Sequence, residues 1–158
     1  MTKGVTMEKG KIAFACDHRG FEVKDKIVGH LKKKGYEVID CGTDNGESTD
    51  YPDYMFAAGE KVRKGTCEKA IGVCYTGIGS AIAANKVQGV RAALVQSVKE
   101  AKLSRAHNDA NMLILGTETV KPKVLLPLID TWLQTSFKGG RHERRVRKIN
   151  EYEKKHFK

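Results

Sequence analysis

The chain has 158 residues, 40% of them hydrophobic, enough for one domain with a sizeable core and too few for two ordinary ones. No apolar run reaches the roughly 20 residues of a membrane span, and the opening MTKGVTMEKGK lacks the apolar segment of a signal peptide, so a cytoplasmic protein is expected. Of the formal charge of +10, a net +6 falls between Lys138 and the C-terminus; no aromatic-interleaved motif or nucleic-acid module accompanies it, which ranks nucleic-acid binding below a solvated face or a donor of arginines to a small phosphate site.

In chain order, a tail over residues 1–10 is expected to fray. Residues 11–16 (KIAFAC) read as a buried strand, followed by the loop Asp17-His18-Arg19-Gly20. Residues 21–34 read as a helix with Val23, Ile27 and Leu31 on one face and Gly35 as its stop. A second strand is expected over 36–41 (YEVIDC). A polar loop then leads to Pro52 at a helix entrance, with Met55, Ala58 and Val62 at helical spacing over 53–64.

The third strand, expected over 70–75, runs into the stretch around which the chain is organised, IGVCYTGIGSAIAANK at 71–86. A short apolar run ending in Cys74 meets Thr76-Gly77-Ile78-Gly79-Ser80, and the small helix formers Ala81, Ala83 and Ala84 follow: strand, glycine turn, helix start. Glycines there let the main chain approach a ligand, and the following helix adds unpaired N–H donors and the positive end of its dipole. A tight connection that holds nothing is the competing reading. The dinucleotide fingerprint wants a small residue where this chain has Ile82, and an acid where the next strand (91–95) runs into Gln96. No G-x-x-x-x-G-K-[ST] occurs either, which removes the usual nucleotide loop.

A helix over 98–106 follows, broken by His107-Asn108-Asp109 ahead of a fifth strand over 111–115 that ends at Gly116. Lys121-Pro122 opens a helix with a wide apolar stripe from Val124 to Leu133, in which Trp132 reads as core, and Phe137-Lys138-Gly139-Gly140 separates it from a basic last helix. Alternating strands and helices predict a three-layer α/β/α fold, Rossmann-like, with a five-stranded parallel sheet covered on both faces. Ligands in such sheets bind beyond the carboxyl ends of the strands. That rule selects Asp17 and His18, residues 74–80, and residues 116–119. It puts His107 at the opposite edge, where a role beside Cys74 requires a second subunit or a bent loop. The four cysteines (Cys16, Cys41, Cys67, Cys74) have no C-x-x-C spacing, so reduced thiols are expected rather than disulfides or zinc.

Four motifs in order then carry a resemblance: Asp17-His18, C-x-T-G-I-G with A-A-N-K at 74–86, H-N-D-x-N at 107–111, and G-G-R-H-x-x-R at 139–145. Together, across about residues 11–149, they resemble the ribose-5-phosphate isomerase B family, which includes galactose-6-phosphate and allose-6-phosphate isomerases. The resemblance implies a homodimer with shared sites, with a tetramer left open, no metal and no cofactor. It further implies interconversion of ribose 5-phosphate and ribulose 5-phosphate through an enediolate, a step of the non-oxidative pentose phosphate pathway.

On that resemblance Cys74 is the base, and a nearby helix N-terminus favours the thiolate such a base needs. Thr76 is a relay hydroxyl, with turn stabilisation as its competing role. His107 is the ring-opening acid reaching in from the partner subunit. The backbone N–H groups from Tyr75 through Gly77 and Ile78 to Gly79 hold the enediolate oxygen, Ser80 is a further substrate-binding position, and Asp17 and Asn108 hold sugar hydroxyls. His18, Arg141 and Arg145 grip the phosphate, the two arginines four apart on one helix face.

Two positions depart from the family's pattern. Tyr75 stands where glycine is common, and Glu118 where an arginine commonly meets phosphate. Arg19 is expected to compensate in part for the missing arginine. Both departures bear on which phosphosugar is preferred, with a hexose 6-phosphate as the alternative substrate and a non-catalytic phosphosugar sensor as the alternative function.

Overall fold

The computed structural model describes residues 9–158. Most of the tail expected to fray therefore lies outside the described residues, while Lys9 already donates its N–H to the Gly35 carbonyl at 3.4 Å.

Among the described residues, strands and helices alternate up to a final pair of helices: β1 (Lys11–Cys16), α1 (Phe21–Lys33), β2 (Glu37–Asp40), α2 (Tyr51–Arg63), β3 (Lys69–Cys74), α3 (Ile78–Ala84), β4 (Ala92–Leu94), α4 (Val98–Asn108), β5 (Met112–Gly116), α5 (Pro122–Gln134) and α6 (Arg141–His156). The sheet is parallel throughout in the order β2-β1-β3-β5-β4. After β2 the chain crosses back over β1 to place β3, so the direction of winding reverses between β1 and β3. The crevice that opens at such a reversal is where α/β sheets bind ligands, and Asp17 and Cys74 stand at its two lips.

Side chains alternate across the sheet with period two. On one face Ile12, Phe14, Ile71, Val73, Leu113 and Leu115 meet Ile27, Leu31, Leu128, Ile129 and Trp132 of α1 and α5. On the other, Ala13, Ala15, Ala70, Met112 and Ile114 meet Met55, Ala58, Ala83 and Ala84 of α2 and α3. Small residues on this second face let α2 lie close: a Cβ added at Gly72 would come within 2.6 Å of the Met55 sulfur. Among the described residues no helix is long and apolar enough to cross a membrane.

Three boundaries differ from the sequence expectation for identifiable reasons. The second strand is shorter, Glu37–Asp40, because the Gly42 N–H is taken by the Asp40 side chain at 2.9 Å and the chain turns away. The second helix starts earlier, at Tyr51, with Pro52 in its first turn, where a missing N–H costs nothing. The fourth helix runs through His107 and Asn108 and stops at Asp109 (φ 47°), held by Arg105 at 2.8 Å and Arg91 at 3.3 Å.

Cys16 ends β1 fully buried, and burial, outweighing the pull of the Lys24 ammonium, pushes its thiol from 9.0 up to about 11. Above pH 9 the unfolded chain therefore releases a proton that the folded chain retains, so stability falls as pH rises from 9 towards 11, by up to roughly 2–3 kcal/mol. Burial pushes Cys41 and Cys67 the same way. Urea midpoints at pH 8 and pH 10.5 should show a smaller alkaline loss in Cys16→Ala than in the wild type; equal losses would refute the assignment.

Candidate active site

The first group of polar residues gathers at the carboxyl ends of β1 and β3. Asp17 is buried, and its Oδ1 accepts from the N–H groups of Arg19 at 3.0 Å and Gly20 at 3.1 Å. The loop is clamped to β3 at Gly20, where a Cβ would lie 2.5 Å from the Val73 carbonyl oxygen. His18 accepts the Thr49 N–H at Nδ1, at 3.2 Å. A backbone N–H can only donate, so the neutral ring carries its proton on Nε2 and presents a donor to whatever enters.

Cys74 closes β3 with its sulfur accepting the Gly77 N–H at 3.2 Å. Gly77 takes φ 80° to turn the chain into α3, and a Cβ there would strike Leu94 at 2.4 Å. Thr76 Oγ1 accepts the Ile78 N–H at 3.3 Å, a turn-bracing contact. The N–H groups of Gly77 and Ile78 are thus engaged, and those of Gly79 and Ser80, in the first turn of α3, have no carbonyl within the helix to meet. Ser80 is fully buried and its Oγ has no partner among the described residues. Sequence reasoning missed Tyr51, whose hydroxyl would touch a Cβ at Gly79 at 2.4 Å and so walls this turn. The repeated tyrosines of Tyr-Pro-Asp-Tyr at 51–54 were the available signal.

Tyr75 and Glu118, the two departures from the family's pattern, touch each other. The Glu118 carboxylate, by its hydrogen-bonding pull and then by its charge, pushes the Tyr75 phenol's ionisation up. The two strand ends are joined as well, with the Thr117 N–H on the Cys74 carbonyl at 3.0 Å and the Glu118 N–H on that of Tyr75 at 2.9 Å. The Arg19 guanidinium lies 5.0 Å from the centre of the Tyr75 ring. These three line a cleft of about 270 Å³ with His18 and Glu22, so Arg19 faces two carboxylates as well as any ligand.

The second group lies at the other edge of the sheet. His107 and Asn108 end α4, and the His107 ring stacks on that of His142, with centroids 4.1 Å apart and planes inclined by 10°. Arg141 and Arg145 rise from the first turns of α6, both exposed. Loss of solvent, then His107, Arg141, Arg145 and Lys138 in turn, hold His142 below the usual histidine range. The strand between Ala70, paired with Met112, and Cys74, paired with Gly116, spans about 13 Å at roughly 3.3 Å per residue. His107 therefore stands a strand's length from Cys74 within one chain, and Arg141 and Arg145 are parted from His18 in the same way.

A family profile described as Ribose/Galactose Isomerase matches residues 12–149, most of the chain. The chain belongs to that ribose/galactose isomerase family. Among relatives in the family, ribose-5-phosphate isomerase B of Escherichia coli (strain K12) is 44% identical over 145 residues, covering 92% of this chain and 97% of the relative. A solved ribose-5-phosphate isomerase B from Clostridium thermocellum superposes with a TM-score of 0.89 at 50% identity, covering 92% of this chain and 98% of that one. The enzyme of Mycoplasma genitalium, solved with bound ribulose-5-phosphate, gives 0.88 at 43% identity, covering 91% and 96%.

Proposed function

We propose that this member of the family interconverts D-ribose 5-phosphate and D-ribulose 5-phosphate, as an aldose–ketose isomerase. The observation that carries the reading is a thiol at the crevice between β1 and β3, its sulfur accepting a backbone N–H at 3.2 Å beside the first-turn donors of a helix.

His107 opens the furanose: it gives a proton to the ring oxygen as the C1–O bond breaks, and solvent water takes the C1 hydroxyl proton as the aldehyde forms. Cys74 thiolate then takes the proton from C2. The negative charge that develops on oxygen is met by the N–H groups of Gly79 and Ser80, with those of Tyr75, Gly77 and Ile78 shaping the turn. Thr76 passes the hydroxyl proton between O2 and O1, and Cys74 returns its proton to C1, so one hydrogen has moved from C2 to C1. Asp17 Oδ2 and Asn108 accept and donate to sugar hydroxyls, while His18 Nε2–H, Arg141 and Arg145 meet the phosphate.

No single chain can do this alone, since the base and the ring-opening acid stand at opposite edges of one sheet. A homodimer in which each site takes Asp17, His18 and residues 74–80 from one protomer and His107, Asn108, Arg141 and Arg145 from the other satisfies the chemistry, and a tetramer can be built from it. The setting is the cytoplasm and the non-oxidative pentose phosphate pathway.

The test is ketose formation from ribose 5-phosphate by the purified protein in metal-chelated buffer, with allose 6-phosphate and galactose 6-phosphate in parallel. Turnover of the pentose phosphate supports the reading. Turnover confined to a hexose phosphate would replace the substrate and make Tyr75 and Glu118 its selectors, and silence on all three from a folded protein would overturn the activity.

A further inference from the structure

Two imidazoles lie face to face at the cationic edge, and the reaction scheme uses only one. His107 belongs to the last turn of α4 and His142 to the first turn of α6. Their stacking is built in by the connection: the Lys138 N–H donates to the Ala106 carbonyl at 3.1 Å, Gly139 and Gly140 turn with φ 66° and 57°, and the His142 N–H closes on the Gly139 carbonyl at 3.1 Å. The residue before His107 thus anchors the segment that delivers His142.

We propose that His142 positions His107 by covering one face of its ring, and so fixes the nitrogen edge that the acid presents to the sugar oxygen. The proposal rests on reading His107 as the ring-opening acid. A half-exposed histidine at a helix end has two soft torsions, and its second is broad. A flat neighbour at 4.1 Å removes most of that freedom while leaving both nitrogens open at the rim. Positioning on this scale matters, because an acid displaced by about 1 Å loses on the order of 10²-fold in rate.

The charges around the pair suit the role. Facing His142 are His107 from α4, Lys138 from the connection, and Arg141 and Arg145 from its own helix. Of the nearby acids, Asp109 at the end of α4 is taken up by Arg91 and Arg105, and Glu143 follows His142 on α6. Desolvation, then His107 and these cations, disfavour a charge on His142.

The experiment compares His142→Ala and His142→Phe with wild type in two assays. Ketose formation from ribose 5-phosphate requires ring opening. Wash-in of deuterium at C1 of ribulose 5-phosphate, followed by NMR in D2O, requires Cys74 but no ring opening, because that ketose phosphate is acyclic. His142→Ala should lower kcat from the aldose by about 10- to 100-fold, leave KM and inhibition by inorganic phosphate unchanged, and spare the wash-in. His142→Phe, which keeps a flat face over the His107 ring, should recover most of the rate. Equal losses in both assays, or no loss in either, would overturn the proposal. Absence of wash-in with the wild type would instead strike the isomerase reading itself.

Discussion

Cys74→Ala is expected to lower kcat for ribose 5-phosphate by about 10²–10⁴-fold, the range set by removing a positioned base. The substitution deletes the sulfur that accepts the Gly77 N–H and leaves the turn's other supports in place, among them the Thr117 N–H on the residue's own carbonyl. The protein should therefore fold, melt cooperatively and bind inorganic phosphate as the wild type does. Cys74→Ser separates base strength from geometry: a hydroxyl in the same place is a far weaker base, and it should recover little. A Cys74→Ala protein that retains turnover within about fivefold of wild type, below the range for a lost base, would remove this residue from the chemistry.

The second large effect concerns how sites are completed. Cys74→Ala and His107→Ala should each be strongly impaired alone. Mixed in equal amounts and allowed to exchange subunits, they should recover about a quarter of wild-type activity, because half of the pairs are mixed and each mixed pair holds one intact and one doubly defective site. Turnover measured before and after exchange gives the answer. No recovery, with exchange shown by mass-labelled subunits, would place both groups in a site built from one chain.

Much of this could be read from the order of residues. β1 falls where KIAFAC places it, and Gly35, at φ 95°, stops α1 where the sequence puts a stop. Family membership followed from four motifs that keep their order. What was hidden depends on contacts between distant segments. The helix through His107 reads as broken because Asn108 and Asp109 are turn formers, and only the Arg105 and Arg91 partners of Asp109 reveal a cap. Tyr75 and Glu118 look like separate departures 43 positions apart, and a backbone hydrogen bond joins them, the Glu118 N–H on the Tyr75 carbonyl at 2.9 Å. That closeness alters the expected effect of Glu118: its carboxylate acts on the Tyr75 phenol, and Arg19 lies over that phenol's ring rather than standing free as a replacement cation. His142 was present in the G-G-R-H motif, but nothing in the spacing says that its ring lies on His107.

The last helix carries a cost for the enzyme's working rhythm. Of the sixteen residues of α6 only Val146 is buried, and its ties to the body include Glu153 on the Gly89 N–H at 2.9 Å and Asn150 on Arg91 at 3.4 Å. Segments with so few buried apolar contacts open ahead of the rest of a domain, so its amides should exchange with solvent soonest among the helices of an isolated protomer. The arginines proposed for phosphate sit at the start of this strap. In the proposed homodimer, a newly made chain would have a finished sheet and thiol turn while its anion-holding end, with Ile149 and Tyr152 53% and 64% exposed, is still loose, and would gain catalytic competence only on pairing with a second copy. At low concentration, activity would then fade through this helix long before the sheet unfolds.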